Sequence, residues 1–217
     1  MTVNDSLTDA FKKLELSKQE RVFASAINEF SEQGYRKASM NTICKSAEVS
    51  KGSLFHYFTS KSGLFTSILD LATIKVKAYL REVRDQTSSM PFFERIEILI
   101  RSGFKFINNH PRLARIYFHL LMTNDSPAGS QMVTLLNRQS RDFLSEIIRS
   151  GVKNNEIRSD IDIEKTSYFL NVIMEHLLRS YYSEYLAPDL NLYQADAQEI
   201  DQWITSAIDF IRQGIKP

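Results

Sequence analysis

The sequence predicts an all-α protein with a small N-terminal unit of three helices and a larger helical C-terminal domain. Apolar residues recur at helical spacing along most of the chain, and no segment shows the alternation of a half-buried strand. Only 7 Gly and 5 Pro interrupt the 217 residues, which favours long helices. The predicted boundaries are a tail or helix extension over residues 1–16, an N-terminal unit over 17–62 and a C-terminal domain over 63–217.

The composition indicates a folded cytoplasmic protein. Hydrophobic residues make up 43% of the chain and aromatic residues 11%, which is enough for a core. No window approaches the ~20 uninterrupted apolar residues of a membrane span, and the polar start of the chain does not resemble a secretory signal peptide. Cys44 is the single cysteine, so no internal disulfide can form, as expected in a reducing compartment. We expect no membrane partner.

The first strong helix pattern is an apolar stripe over residues 22–30. Ser17 and Glu20 have the spacing of a capping box, which predicts the start of this helix. Gly34 is expected to end it, because glycine adopts the left-handed C′ conformation without strain.

Two short helices follow, on either side of a tight turn over residues 47–50. Ser39 is the expected N-cap of the first short helix, and Ser50 of the second. Leu54 and Phe58 lie four residues apart, so both can face the core. The pattern predicts a helix-turn-helix, whose second short helix enters the major groove of DNA.

The second short helix carries a set of residues expected to face outward, namely Lys51, Gly52, Ser53, Phe55, His56 and Tyr57. The segment 34–63 holds five basic residues and one acidic residue, a net charge of +4, whereas the whole chain has +1 and the remainder therefore −3. A basic patch on a near-neutral protein indicates a local contact with nucleic acid rather than an ordinary solvated face.

The same segment resembles the DNA-binding domain of the TetR family of bacterial transcriptional regulators. The positions that match the family pattern, in order and without a gap, are Phe30, Gly34, Tyr35, Ser39, Ile43, Ala47, Val49, Ser50, Gly52, Leu54, Tyr57, Phe58, Ser60, Lys61 and Leu64. The resemblance covers about residues 17–70. It implies a regulator, more often a repressor than an activator, that binds a palindromic operator in double-stranded DNA as a homodimer.

By this resemblance, the residues expected at the DNA are Ser39, Asn41, Thr42, Lys51, Gly52, Ser53, Phe55, His56, Tyr57 and Lys61. Tyr57 and Lys61 are expected to anchor the DNA backbone. Lys51, Ser53, His56 and Asn41 are expected to face base edges or nearby phosphates.

Four residues depart from the family pattern. Ala38 replaces a hydroxyl residue, and Cys44 replaces a small alanine and is expected to be buried. Glu48 replaces the usual turn glycine, which predicts a strained left-handed residue. Phe55 replaces a common tyrosine, so its hydroxyl contact with the DNA backbone is lost and apolar contact remains.

The C-terminal domain is expected to contain six helices, over about residues 62–84, 92–108, 111–122, 131–153, 164–186 and 197–213. Apolar stripes on the last two helices either pack inside one subunit or pair with a second copy. The resemblance favours the second reading, with a dimer interface of Tyr168, Val172, Ile200, Trp203, Ile204 and Ile208.

The middle helices are rich in aromatic residues and methionine. These residues form either plain core or, by the resemblance, the pocket of a small lipophilic or aromatic effector, lined by Phe104, Tyr117, Phe118, Met122, Phe143, Phe169, Met174 and His176. Asn171 could orient such a ligand, whereas Arg101 and Glu175 are expected to pair with surface charges.

An enzyme is the rival interpretation. The four histidines are scattered without metal-ligand spacing, and no glycine-rich phosphate loop occurs. We therefore expect no catalytic residue, no metal and no cofactor. A third interpretation is a DNA-binding architectural protein or regulator that has the same helix-turn-helix but no effector.

Overall fold

The computed structural model describes residues 8–123, 126 and 128–217. Within these residues the backbone forms ten α-helices, one 3-10 helix (Pro188–Leu190) and no strand, so the predicted all-α fold is confirmed. The α-helices are α1 (Asp9–Lys12), α2 (Leu16–Lys37), α3 (Met40–Ala47), α4 (Lys51–Phe58), α5 (Lys61–Thr87), α6 (Phe92–Asn109), α7 (Pro111–Thr123), α8 (Gly129–Lys153), α9 (Ile163–Tyr182) and α10 (Ala197–Ile215).

The chain forms two compact units. Unit 1 comprises the described residues of Met1–Leu80 and His110–Thr134, and unit 2 comprises Arg81–Asn109 and Leu135–Pro217. Unit 1 thus extends beyond the predicted N-terminal unit of residues 17–62, because it also includes α1, all of α7 and most of α5. Among the described helices, none combines the length and the apolar character that a membrane crossing requires.

The core of unit 1 is one cluster of aromatic and aliphatic side chains from α1 to α5 and from α7. Its fully or almost fully buried side chains include Phe11, Val22, Phe30, Ile43, Leu54, Phe58, Leu64, Phe65, Ile68, Ile116 and Leu120. Both α7 and α3 pack against α2. The buried side of the helix-turn-helix therefore packs on helices that precede it (α1 and α2) and on helices that follow it (α5 and α7).

The expected N-caps of the two short helices are confirmed, whereas that of α2 is wrong. Ser39 Oγ accepts a hydrogen bond from the Thr42 N–H, and Ser50 Oγ from the Ser53 N–H. α2 instead begins at Leu16, one residue before Ser17, and its cap position makes no side-chain hydrogen bond. A favourable capping spacing does not decide a helix start when the preceding chain packs on the helix.

Gly34 breaks the regular helix of α2 at a kink, as expected, and a further helical turn follows it up to Lys37. Its backbone (φ 69°, ψ 170°) has the positive φ that favours glycine, although its ψ is not that of the left-handed cap that was expected. A Cβ on Gly34 would lie 2.6 Å from His119 Nε2 of α7. Glycine is required here for both the backbone conformation and the close approach of α7.

Unit 2 is centred on α6, against which α9 and α10 pack. Phe92, Ile96, Ile100 and Phe104 of α6 are buried, together with aliphatic residues of α8 and α10. The Phe104 and Tyr181 rings meet edge to face at 5.1 Å, and the Tyr181 hydroxyl donates to Asn108 Oδ1 at 2.8 Å. These contacts tie α9 to α6.

Candidate nucleic-acid interface

The helix-turn-helix is formed by α3, a tight turn and α4. Glu48 ends α3 in the left-handed conformation (φ 56°, ψ 43°), which confirms the conformation expected for this non-glycine residue. The Val49 N–H donates to the Cys44 carbonyl at 3.1 Å and closes the turn. A left-handed residue with a side chain costs on the order of 1 kcal/mol, so the turn is strained.

The solvent-facing surface of α3 and α4 contains most of the residues expected at the DNA. Asn41, Thr42, Lys51, Gly52, Phe55 and His56 are exposed, and Ser39 and Ser53 are half-buried. The periodicity of both helices therefore placed these side chains correctly, and together they form a polar and basic surface with one apolar ring. Their contact with DNA stays a prediction.

Two of the expected DNA contacts also have roles inside the protein. The Ser39 N–H donates to Glu29 Oε1 at 2.8 Å, which ties the start of α3 to α2. The Ser53 hydroxyl lies 2.8 Å from the Ser50 hydroxyl, and the Ser53 N–H donates to Ser50 Oγ at 3.0 Å. These bonds fix the start of α4, the end of the helix expected to enter the groove.

Gly52 lies at the open N-terminal turn of α4. It is exposed, and a Cβ built on it would meet only Ser50 Oγ, at 3.9 Å. The fold itself therefore has room for a side chain at this position. What Gly52 provides is a bare backbone surface at a helix start, where N–H groups can approach a phosphate.

Tyr57 does not face outward, and this expectation is wrong. The residue is only 8% exposed, and its ring lies 5.7 Å from that of Phe11. The reason is α1, which covers this side of α4. A contact between the Tyr57 hydroxyl and the DNA backbone stays a prediction, but most of the side chain serves the core.

Lys61 is engaged within the protein rather than free for a phosphate. Its ammonium group donates to the carbonyls of Arg36 and Ala38, both at 2.9 Å, and lies 5.1 Å from the centre of the Tyr35 ring. The ammonium group thus donates hydrogen bonds to free carbonyls at the C-terminal end of α2, where positive charge is favourable. The expected role as a backbone anchor would have to coexist with this one.

Cys44 is buried, as expected for a small core residue. Burial raises the pKa of its thiol, and the positive charge of Lys51 only partly opposes this effect. Within the described residues, no group of three or more His, Cys, Asp or Glu side chains could hold a metal ion.

The expected dimer residues divide into two groups. Tyr168 and Val172 on α9 are 52% and 42% exposed, as an interface with a second copy requires. Ile204 and Ile208 on α10 are buried within unit 2, so their assignment to the interface is wrong. The isoleucine stripe of α10 faces the core of its own subunit because α10 packs on α6.

Ile200 and Trp203 are half-buried on α10. Phe210, which was not assigned to the interface, is 73% exposed. It lies seven residues after Trp203, so the two share a face of α10. The sequence shows this spacing, but the interface was assigned from the more regular isoleucine stripe of the same helix.

The expected pocket residues do not form one set. Tyr117, Phe118 and Met122 belong to unit 1, and the other five belong to unit 2. Met122, Phe169 and His176 are exposed, so their assignment to the lining of an interior cavity is wrong. Phe104 and Phe118 are buried, and Tyr117, Phe143 and Met174 are half-buried.

The polar residues considered for the pocket fall into paired charges and one buried amide, as expected. Arg101 pairs with Glu97 at 2.9 Å and with Asp201, and Arg179 approaches Glu175 at 3.9 Å, so these charges have partners. Asn171 is buried, and its side-chain oxygen accepts a hydrogen bond from the Ser140 hydroxyl at 2.5 Å.

An all-α chain with a capped helix-turn-helix and a basic exposed surface has the architecture typical of DNA-binding transcriptional regulators. Two family models match the chain, bacterial regulatory proteins of the tetR family over residues 22–68 and the tetracyclin repressor-like C-terminal domain over residues 90–216. The chain therefore belongs to the TetR family, whose members are DNA-binding regulators and not enzymes.

Known proteins agree with this assignment. The chain is similar to the HTH-type transcriptional repressor KstR2 of Mycobacterium tuberculosis, with 25% identity over 141 residues, 65% of this chain and 70% of that protein. A TetR family regulator from Chloroflexus aurantiacus has the same fold, with a TM-score of 0.71, 23% identity and coverage of 97% and 99% of the two chains. FadR from Bacillus subtilis in complex with stearoyl-CoA gives a TM-score of 0.69 at 16% identity, covering 90% and 98%.

Proposed function

We propose that the protein is a cytoplasmic repressor that binds a palindromic operator as a homodimer and leaves it when a small lipophilic ligand binds. Gly52 is the observation that carries the DNA-binding part. The fold does not need a glycine at this exposed helical position, whereas close approach of a phosphate does.

Substitution of Gly52 by alanine tests this proposal. Alanine is the better helix former, so Gly52→Ala should raise the free energy of unfolding by up to about 1 kcal/mol. The added methyl group should nevertheless weaken operator binding by at least about tenfold, because it separates the helix start from the DNA backbone. Thermal unfolding and fluorescence anisotropy on a duplex selected by the wild-type protein would measure the two effects.

The comparison of stability with affinity makes the test specific. A variant that is more stable and binds the selected duplex as tightly as the wild type would contradict the placement of α4 at the DNA. Gly214→Ala is the matched control, because a Cβ on Gly214 meets nothing within 4 Å in the subunit. Gly214 lies one turn after Phe210 on α10, so sedimentation of the variant must also show an unchanged oligomeric state. Its operator affinity should not change.

The dimer is supported by exposed apolar side chains on α9 and α10. Tyr168, Phe169 and Val172 form one face of α9, and Phe210 is exposed on α10. An apolar surface of this kind on a folded protein is typical of an interaction site. A two-fold dimer would place two copies of α4 one DNA turn apart, ~34–36 Å, which matches a palindromic operator.

The proposed effector site lies in unit 2. Phe104, Phe143 and Met174 supply apolar surface, and the hydrogen-bonded pair of Ser140 and Asn171 supplies polar groups that could orient a ligand. The stearoyl-CoA in FadR supports a ligand with a long apolar part. The net negative charge of this chain outside 34–63 argues against a strongly anionic ligand.

Release from DNA would follow from a shift between two conformations. A ligand that prefers the conformation with wrongly spaced α4 helices weakens operator binding by the ratio of its affinities for the two states. α5 is the proposed connection, because it runs without a break from unit 1 into unit 2.

A thermal-shift screen of fatty acids, acyl-CoA esters and steroids, followed by operator binding, tests the effector proposal. A compound that raises the Tm should lower operator affinity, and Phe143→Ala should weaken both effects. Lys105→Ala, at an exposed position of α6 outside the proposed dimer face, is the control that should weaken neither. Compounds that stabilise the protein but leave operator affinity unchanged in every case would contradict the coupling.

A further inference from the structure

The N-terminal helix α1 is packed into the helix-turn-helix rather than extending from it. Phe11 is fully buried. Its ring centroid lies 4.7 Å from that of Phe58 and 5.7 Å from that of Tyr57, both on α4, and 5.1 Å from that of Phe23 on α2. One side chain from a four-residue helix thus bridges α2 and the C-terminal half of α4.

A hydrogen bond joins the start of α1 to the end of α4. The Thr8 hydroxyl donates to the Tyr57 carbonyl at 2.8 Å and accepts from the Phe11 N–H at 3.3 Å. The Tyr57 carbonyl belongs to the last turn of α4, where carbonyls have no partner within the helix. Thr8 therefore supplies a donor that α4 lacks and caps α1 with the same oxygen.

The other end of α1 is fixed to α2. The Gln19 side-chain amide donates to the carbonyls of Leu14 at 2.9 Å and of Lys12 at 3.3 Å. α1 is thus held at both ends, by α4 through Thr8 and by α2 through Gln19. The matched family model covers residues 22–68, so α1 and Gln19 lie outside the matched segment, whereas Phe23, Tyr57 and Phe58, which α1 contacts, lie inside it.

We infer that α1 is a brace that positions α4 for specific DNA binding, with Thr8 and Phe11 as its positioning residues. An isolated helix of eight residues is not stable in water, so the orientation of α4 depends on what packs against it. Leu54 anchors the first half of α4 in the core, and the α1 contacts anchor the second half. The inference rests on the proposed operator binding by α4.

The test compares specific with non-specific DNA binding in the full-length protein. Phe11→Ala should weaken binding to the selected operator by at least about tenfold and binding to an unrelated duplex by less than about twofold, since phosphate contacts survive a small misorientation of α4. Thr8→Val should act in the same direction. Thr8→Ser keeps the hydroxyl and should restore operator binding.

Leu16→Ala is the matched control, because Leu16 is 76% exposed and lies just beyond α1. It should bind both duplexes as the wild type does. If Phe11→Ala unfolds the protein at the assay temperature, as circular dichroism would show, the pair Thr8→Val and Thr8→Ser decides the matter.

Three results would overturn the inference. Phe11→Ala and Thr8→Val could both keep operator affinity within about twofold. They could lose specific and non-specific binding equally, which indicates a general loss of structure. Thr8→Ser could fail as Thr8→Val does. A wild-type protein that prefers no duplex in the selection would instead refute the proposed operator binding, so the two failures are distinguishable.

Discussion

Glu48 lowers the stability of the turn between α3 and α4. It holds a left-handed backbone conformation that glycine adopts without strain, and it is the only acidic residue in segment 34–63. Glu48→Gly should raise the free energy of unfolding by about 0.5–1 kcal/mol, because the relief of strain exceeds the added entropy of the unfolded chain. Chemical denaturation would measure the change.

Conformation and charge at Glu48 are separable. Glu48→Gln removes the negative charge but keeps the strained side chain, so it should leave stability nearly unchanged. Both variants should bind DNA more tightly than the wild type at low salt, because each removes a negative charge from the segment that is expected to contact the phosphates. A gain in stability equal to that of Glu48→Gly in the glutamine variant would contradict the strain argument.

Lys61 and Lys51 should respond differently to substitution. Lys61→Met removes two hydrogen bonds to carbonyls and the contact with the Tyr35 ring, so it should lower stability by about 1–3 kcal/mol. Lys51→Met, at an exposed position, should leave stability unchanged and reduce the salt dependence of DNA binding by about one phosphate contact.

Melting curves and salt titrations of operator binding, run on both lysine variants, check this contrast. A Lys61→Met protein with the wild-type Tm and a smaller salt slope would restore the phosphate role that the sequence suggested.

Residue by residue, exposure on α3 and α4 could be predicted from periodicity because both helices pack on one side only. Asn41, Thr42, Lys51 and His56 are exposed as expected. Tyr57 could not be predicted in this way, because the side chain that covers it comes from α1. A helix of one turn has no periodicity, so nothing in the sequence pattern announced it.

At the scale of the elements, helix identity followed from the sequence but the partner of each helix did not. The isoleucine stripe of α10 correctly indicated one buried face, yet periodicity does not say whether the subunit itself or a second copy covers that face. In this chain α6 covers it. Likewise, the sequence of α7 does not predict that α7 packs on α2, because that contact depends on the tertiary path of the chain.

The contact between α2 and α7 depends on Gly34. Gly34→Ala should lower the free energy of unfolding by about 2–4 kcal/mol, because it adds an unfavourable backbone conformation and a Cβ only 2.6 Å from His119 Nε2. Differential scanning calorimetry would show the loss.

A double variant separates the two causes. Gly34→Ala combined with His119→Ala should lose less stability than the sum of the single changes, since the clash disappears while the backbone strain remains. Additive losses would show that the close approach of α7 is unimportant. Arg115 and Glu32, which pair at 2.6 Å between the same helices, are exposed enough that breaking their pair should cost less than about 1 kcal/mol.

For the whole molecule, charge and apolar surface are segregated along the chain. The segment 34–63 carries +4 and the remainder −3, so attraction to DNA is concentrated on the helix-turn-helix. The exposed apolar residues of α9 and α10 lie in unit 2. Because the basic charge lies in the helix-turn-helix and the exposed apolar face in unit 2, we expect substitutions in unit 2 to affect DNA binding only through dimerisation or through the effector.

Phe210 and Ile204 provide the sharpest test of the dimer, because they lie on the same helix with opposite exposures. Phe210→Asp should split the dimer without unfolding the protein, since the residue is 73% exposed in the single subunit and a charge buried in an apolar interface costs several kcal/mol. That cost corresponds to a dimer Kd weakened by at least about 100-fold. Ile204→Asp should instead destabilise unit 2, because Ile204 is already buried there.

Sedimentation velocity at micromolar concentration, together with circular dichroism, distinguishes these outcomes. The Phe210→Asp protein should sediment as a folded monomer and lose most of its operator affinity, because a single copy of α4 makes only half of the contacts. The Ile204→Asp protein should lose helical signal before its oligomeric state becomes an issue. A wild-type chain that sediments as a monomer, or a Phe210→Asp chain that remains dimeric, would show that the exposed face of α10 does not bind a second copy.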